Sequence, residues 1–152
     1  MGCDMHSHVE TKGANGWQEV TGIESPFETR SYGVYAFLAG VRNYSAIEPI
    51  CAPRGLPADV STSVQEDYEV WGWDAHSASW LLVSKLLAVD YDAEVNDRRV
   101  ERNGNGGCTG SPEEGERMPL REFLGRGFMS TLDALAALGD PEDTRVVFWF
   151  DN

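Results

Sequence analysis

The two clearest strand patterns lie at opposite ends of the chain, and they constrain the fold more than any other feature. Residues 3–10 alternate between Cys, Met, Ser and Val on one face and Asp, His, His and Glu on the other, which is the period of a β-strand. Residues 145–150 form a run of Arg, Val, Val, Phe, Trp and Phe, dominated by types that strands favour. We predict that both strands lie in one antiparallel sheet.

Helical patterns fill part of the chain between these strands. Apolar side chains share one helical face in residues 32–40, 59–72 and 119–138. Ser63 and Glu66 have capping-box spacing, and the last helix begins at Pro119 and ends before Gly139. The prediction is a single α+β domain, 1–152, whose antiparallel sheet is packed by a long C-terminal helix and shorter helices.

Three other segments are assigned less specific structure. Residues 41–57 contain three prolines and no period, and irregular loops of this length are often functional. Residues 76–91 are apolar, and their period does not distinguish strand from helix. Residues 92–117 are polar, acidic and rich in glycine, which predicts a mobile loop or insertion.

Charge and cysteine content limit the class of protein. The chain has 152 residues, with 25 Asp and Glu against 12 Lys and Arg, for a formal charge of -13. Such a charge repels duplex nucleic acid, and its simplest role is solubility. The alternative is an acidic surface that occupies a basic protein.

Three widely spaced cysteines indicate a reducing cytoplasm. We find no apolar run of about 18 residues that would span a membrane. Homo-oligomerisation is left open.

The polar face of the first strand is the densest group of candidate ligands. Asp4, His6 and His8 point the same way, about 6–7 Å apart along the strand. Imidazole nitrogen and carboxylate oxygen both suit a divalent metal ion. The same face also suits a neutral imidazole that acts as a general base beside a carboxylate. A third interpretation is a polar face that simply meets water.

The third histidine lies in an aromatic context. His76 follows Asp74 at the same spacing as His6 follows Asp4, and Trp71, Trp73 and Trp80 surround it in the sequence. Aromatic walls around a polar centre favour a pocket in which a flat group stacks. The alternative is that the tryptophans belong to the core.

Basic residues are scarce, so their positions are informative. Arg42 and Arg54 flank the 41–57 loop, and Asn43 follows the first of them. A loop arginine can bind phosphate with two parallel hydrogen bonds, or it can fix the loop by bonding backbone carbonyls. Asp151 and Asn152 end the last strand and are either delivered to a site or part of a solvated tail.

Several short motifs resemble those of a family of small proteins from tailed bacteriophages and prophages. They are GCDMH, GVRN, RGLP, HSASWL and VVFWFDN. The similarity runs from the first residue to the last, with residues 90–117 as the variable part. The chain departs at Ala78, where relatives often read His-Ser-His-Ser, and this weakens a two-histidine role for that segment. The resemblance implies action in the bacterial host cytoplasm. By analogy with other small phage proteins, it also implies binding or destruction of antiviral nucleotide signals.

Together these observations predict a site for a nucleotide-like small molecule, with hydrolysis of a phosphodiester or related bond. The alternatives are a protein that only sequesters such a nucleotide, and an acidic inhibitor of a basic host partner. The expected catalytic residues are Asp4, His6 and His76. The expected ligand-binding residues are Arg42, Asn43, Arg54, Trp80 and Asn152. The residues expected to hold a divalent metal ion are Asp4, His6, His8 and Asp151.

Overall fold

The computed structural model describes residues 2–23, 25–27, 29–102, 107–110 and 115–152, and it has the predicted α+β fold. The strands are β1 (Asp4–Gly13), β2 (Gly16–Glu19), β3 (His76–Leu82), β4 (Glu94–Asp97), β5 (Arg99–Arg102), β6 (Gly107–Gly110), β7 (Glu116–Pro119) and β8 (Thr144–Asp151). The α-helices are α1 (Tyr32–Ala39), α2 (Thr62–Trp71), α3 (Val83–Leu87), α4 (Leu120–Leu124) and α5 (Arg126–Ala136).

Four strands form the central sheet, in the order β2-β1-β8-β3 and all antiparallel. The first and last strands of the chain are neighbours, which confirms the prediction that they share a sheet. Their register pairs Asp4 with Asp151 and Thr11 with Thr144. Because paired residues lie about 4.5–5.5 Å apart, the polar residues of both termini meet at one end of the sheet.

Helices cover the sheet on both faces, so strand β8 in its centre is buried from both sides. On one face Met5, Phe148 and Phe150 pack into the main core with α1, α3, α4 and α5. On the other face Val147 and Trp149 pack under α2. This two-sided burial explains why β8 reads as a continuous apolar run while β1 alternates.

The predicted helices are present with local differences. Ser31 caps the start of α1, and Gly40 ends it with a φ of 71°, a left-handed conformation that glycine often adopts at the end of a helix. Ser63 and Glu66 do not form the predicted capping box, because α2 begins after Ser61 and the Ser63 hydroxyl donates to Glu19 instead.

Two apolar segments each divide into two elements. The segment predicted as one helix over 119–138 forms α4 and α5, which are separated at Gly125, where φ is 89°. Glycine adopts this conformation without steric cost. The ambiguous segment 76–91 is a strand followed by a short helix, β3 and then α3.

The segment 92–117 contains strands rather than only an irregular loop. In it β4 pairs with β7 and β5 pairs with β6, and Val95 and Met118 pack against the main core. Residues 103–106 and 111–114 lie outside the described residues, so the mobility of the segment stays a prediction. Within the part of the chain that the structure covers, no helix has the length and apolar character needed to cross a membrane.

Candidate active site

A histidine and an aspartate from the two terminal strands form a hydrogen-bonded pair at the end of the sheet. Nε2 of His6 lies 2.8 Å from Oδ2 of Asp151, and their side chains are 25% and 18% exposed. His6 is paired across the ladder with Trp149, so Asp151 is its diagonal neighbour. Diagonal positions on one face are close enough for long side chains to meet. We call this pair the His6–Asp151 dyad.

The chemistry of the dyad follows from its hydrogen bond. An ionised carboxylate only accepts hydrogen bonds, so Nε2 of His6 must carry the proton that it shares with Asp151. In a neutral imidazole the lone pair then lies on Nδ1, and Nδ1 makes no hydrogen bond with any residue that the structure describes. A carboxylate that fixes the tautomer of a histidine in this way is the arrangement used by general bases.

Two tryptophans hold the imidazole of His6 in place. The centre of the Trp71 ring lies 4.0 Å from the centre of the His6 ring. The centre of the Trp149 ring lies 6.0 Å from it, with an angle of 27° between the two ring planes. Trp71 is the last residue of α2, and Val64 and Tyr68 of the same helix pack on the sheet below it. The spacing of these three side chains is that of one helical face, so the packing of α2 positions the aromatic wall of the dyad.

Asp4, directly across the ladder from Asp151, is engaged by an arginine. Nε and Nη2 of Arg30 donate to its two carboxylate oxygens at 2.7 and 2.6 Å. Hydrogen bonding to Arg30 holds the pKa of Asp4 below its usual range. Asp4 therefore acts as a fixed anion that places a guanidinium beside the dyad.

Arg42 lies at the same end of the sheet. Its Nη2 donates to Oδ1 of Asn152 at 3.1 Å, and its guanidinium lies 5.9 Å from the ring centre of Tyr32. The buried thiol of Cys3 is also close to it. Burial raises the pKa of Cys3, although the hydrogen bond with Arg42 opposes that rise. The structure thus brings Arg42 and Asn152 to the dyad's end of the sheet, and their role in ligand binding stays a prediction.

His8 has a different environment from His6, because both of its ring nitrogens face carboxylates. Nδ1 lies 2.7 Å from Oε1 of Glu19, and Nε2 lies 2.7 Å from Oδ2 of Asp67. Carboxylates only accept, so both nitrogens must donate, which is the hydrogen-bonding pattern of an imidazolium. Burial alone would raise the pKa of Glu19, but hydrogen bonds from Ser63 and His8 outweigh it, and the net pKa is lowered. His8 joins the β1–β2 hairpin to α2.

Glu10 continues this face of β1 into a buried ion pair. It is fully buried, and its Oε1 accepts from Nε of Arg145 at 2.7 Å while Arg145 is only 2% exposed. Arg145 also donates to Asp59 at 2.8 Å, and the Ser61 amide donates to Glu10 at 2.7 Å. These contacts satisfy two charges inside the protein and fix the loop before α2.

His76 does not lie with His6, contrary to the prediction of a shared catalytic site. It is opposite Phe150 and stacks on that ring at 6.1 Å, so it faces the main core rather than α2. The cause is a register shift between His76 and Ser79, with Ser77 at a φ of 53°. Such a bulge inserts one residue and turns the preceding side chain to the other face.

The remaining predicted ligand-binding residues have structural partners of their own. Nη2 of Arg54 donates to the backbone carbonyl of Trp80, and its guanidinium lies 3.8 Å from the Trp80 ring centre. Trp80 pairs with Val147, four residues before Asp151 on β8. Asn43 bonds both backbone groups of Ile47. Arg54 therefore fixes the 41–57 loop, which is the alternative given above for a loop arginine, and the hydrogen bonds of Asn43 fix the same loop.

The four residues predicted to hold a metal ion do not converge on one point. Asp4 is bound by Arg30, and His8 is bound by Glu19 and Asp67. Among the described residues, no group of three or more His, Cys, Asp or Glu side chains is arranged to hold a metal ion. The divalent metal stays a prediction that metal addition can test.

A separate cleft of about 570 Å³ lies on the opposite side of the sheet, between the segment before α1 and helix α5. Phe27, Val34, Phe128 and Thr131 are among its lining residues. Its lining includes none of the predicted site residues, so the sequence-based site and this cleft are distinct features.

Sequence reasoning missed Arg30, which lies outside every regular period and carries no local signal. Trp71 was expected as a pocket wall, but its contact with His6 depends on how α2 crosses the sheet. A comparison of the chain with protein families, curated proteins and solved structures found no match in any of the three. The resemblance to phage proteins therefore stays a prediction, and the geometry of the dyad is the main indication of function.

Proposed function

We propose that the His6–Asp151 dyad acts as a general base in the hydrolysis of a nucleotide-like small molecule. The observation that carries this proposal is the 2.8 Å contact between His6 and Asp151, which leaves Nδ1 of His6 without a partner among the described residues. A histidine held by a carboxylate, with its other nitrogen unbonded, is suited to accept a proton from water.

The reaction proceeds as an attack of water on phosphorus. Nδ1 of His6 accepts a proton from the water molecule, whose oxygen then bonds to the phosphorus of a phosphodiester. The bond from phosphorus to the leaving oxygen breaks, and the imidazolium returns the proton to that oxygen. Asp151 stabilises the transient positive charge on the ring.

Arginines near the dyad support an anionic substrate. The chain has only 12 basic residues, yet Arg30 and Arg42 both contact residues at this end of the sheet, Asp4 and Asn152. Guanidinium groups bind phosphate oxygens with paired hydrogen bonds. An incoming phosphate would compete with Asp4 for Arg30, which makes Arg30 a candidate for substrate-linked rearrangement. The resemblance to phage proteins adds the expectation that the substrate is a nucleotide signal in the bacterial host.

The test is a turnover assay on a panel of linear and cyclic nucleotides, with product separation by chromatography. Each nucleotide is assayed in separate reactions that contain EDTA, Mg²⁺ or Mn²⁺. We expect turnover of at least one nucleotide by the unmodified protein and a loss of about 100-fold to 10,000-fold in His6→Ala. His76→Ala is the matched control, because that histidine lies on the opposite face, and it should retain turnover.

Three outcomes separate the alternatives. If the protein binds a nucleotide tightly without turnover, and His6→Ala abolishes that binding, the function is sequestration of the nucleotide rather than its hydrolysis. Turnover only with added metal would extend the proposal to a metal-assisted reaction. Neither binding nor turnover for any nucleotide in the panel would overturn it.

A further inference from the structure

The C-terminal part of α2 and the turn after it present two exposed apolar side chains. Val70 is 83% exposed and Trp73 is 103% exposed. Glu66 and Glu69 are also exposed and lie with Val70 on one side of α2, which points away from the sheet because the opposite side of the helix packs on it. Trp73 follows in the short turn after α2 ends at Gly72. We call these four residues, with the exposed Asp74 that follows, the Trp73 ridge.

The exposure of Trp73 contrasts with the other tryptophans of the chain. A tryptophan in a core or an interface buries about 150–250 Å², and Trp149 is fully buried in this protein. Exposed tryptophan beside another exposed apolar side chain is typical of a protein-interaction surface, where tryptophan and arginine are the residue types that contribute most to binding.

The stretch of sequence that contains the ridge carries only negative charges. Residues 55–84 contain five Asp and Glu and no Lys or Arg. Glu66, Glu69 and Asp74 form no ion pair with any residue in the described ranges. A partner that meets this surface must bring positive charge, and the negative potential disfavours a nucleotide or a nucleic acid.

The protein's own packing indicates which cation suits an exposed tryptophan. Arg54 lies 3.8 Å from the ring centre of Trp80, and Arg145 lies 3.9 Å from that of Trp17. Arginine combines stacking on the ring with hydrogen bonds to carboxylates, which lysine does less well. Trp73 has neighbouring carboxylates but no such arginine among the described residues.

We propose that the Trp73 ridge is a docking surface for a basic protein segment, with a partner arginine stacked on Trp73 and bonded to Glu69 or Asp74. Val70 would bury the aliphatic part of the same segment. This surface is separate from the general-base role of the dyad, so either proposal can fail without the other.

The experiment measures the binding of two fluorescently labelled octapeptides, one of alternating arginine and alanine and one of alternating lysine and alanine, by fluorescence anisotropy at low and at high salt. We expect the arginine peptide to bind more tightly. Trp73→Ala should weaken it by about tenfold, which corresponds to about 1.4 kcal/mol. The melting temperature of Trp73→Ala should be unchanged, since the side chain is fully exposed.

Two carboxylate variants provide a matched comparison. Glu69→Gln and Glu142→Gln each remove one exposed negative charge, but Glu142 lies at the opposite end of β8. The proposal requires Glu69→Gln to weaken the arginine peptide more than Glu142→Gln does. Equal binding of both peptides, with no effect of Trp73→Ala, would show that net charge alone attracts the peptides. That result would overturn the proposal. Absence of binding, or binding of AMP that is lost in Trp73→Ala, would also overturn it.

Discussion

Nε2 of His6 lies 2.8 Å from Oδ2 of Asp151, although the two residues are 145 positions apart in the sequence. The contact exists because β1 and β8 are neighbouring strands in a register that pairs Asp4 with Asp151. Of the two carboxylates at this end of the sheet, Asp4 is neutralised by Arg30, and Asp151 is left to orient the imidazole. The division of roles between two similar residues is therefore set by their neighbours.

Asp151→Asn should abolish the orientation of His6 without unfolding the protein. The amide that replaces the carboxylate can donate to Nε2, which favours the wrong tautomer and leaves Nδ1 protonated. If the proposed hydrolysis occurs, its rate should fall by about 100-fold to 10,000-fold. The measurement is kcat/KM beside a thermal melt. The double variant His6→Ala, Asp151→Asn should be no slower than His6→Ala alone, and additive losses would show that the two residues act separately.

The fold was largely predictable because local patterns in the sequence identify most of its strands and helices. Alternation in β1 and the apolar run of β8 identified both strands, and the apolar face of residues 32–40 identified α1. The division of the 119–138 segment into α4 and α5 was not predicted. Its apolar stripe continues across Gly125, and only the backbone conformation of that glycine separates the two helices.

The site was predictable where it depends on one strand and not where it depends on register. His6 and Asp151 follow from the alternation of β1 and the end of β8. His76 was misplaced because regular alternation would put it on the face of Ala78 and Trp80, whereas the bulge at Ser77 reverses it. Whether a bulge occurs is decided by pairing with β8, and that information is absent from the local sequence.

His8→Ala should reduce stability rather than chemistry. The imidazole joins Glu19 of β2 to Asp67 of α2. Its loss leaves the two carboxylates close together without the donor that they share, and among the described residues only the Ser63 hydroxyl still donates to Glu19. The expected cost is about 1–3 kcal/mol in the free energy of unfolding, measured by urea titration. Lys12→Ala, on the same strand but exposed, is the control and should change stability by less than about 0.5 kcal/mol. Loss of turnover in His8→Ala without loss of stability would instead place His8 in the reaction.

Removal of one partner of the buried Glu10–Arg145 pair should be the most destabilising change on this face. Arg145→Met leaves the carboxylate of Glu10 buried without its guanidinium, and uncompensated buried charges typically cost about 3–5 kcal/mol. The double variant Glu10→Leu, Arg145→Met removes both charges and should recover most of that loss. Urea titrations of the three proteins test this, and a double variant as unstable as Arg145→Met would contradict it.

Asp97→Asn should destabilise the protein in a pH-dependent way. Burial alone would raise the pKa of Asp97, but hydrogen bonds from Arg99 and Ser45 outweigh it, and the net pKa lies below the ordinary value of 3.8. The folded state therefore holds the carboxylate charged more strongly than the unfolded chain does. This stabilisation is fully present above the ordinary pKa and is lost as the pH falls through the lower, folded pKa.

At neutral pH we expect Asp97→Asn to cost about 1–3 kcal/mol, because Asp97 accepts hydrogen bonds at 2.9 and 2.8 Å from the Arg99 side chain. The difference from the unmodified protein should be constant from about pH 7 to pH 5 and should shrink below about pH 4. Glu94→Gln is the control on the same strand, since Glu94 and Arg117 form an exposed pair, with side chains 60% and 65% exposed. Such pairs contribute about 0–1 kcal/mol, so Glu94→Gln should show little change. Urea titrations from pH 7 to pH 3 provide the measurement, and a cost of Asp97→Asn that stays constant or grows at low pH would contradict the assignment.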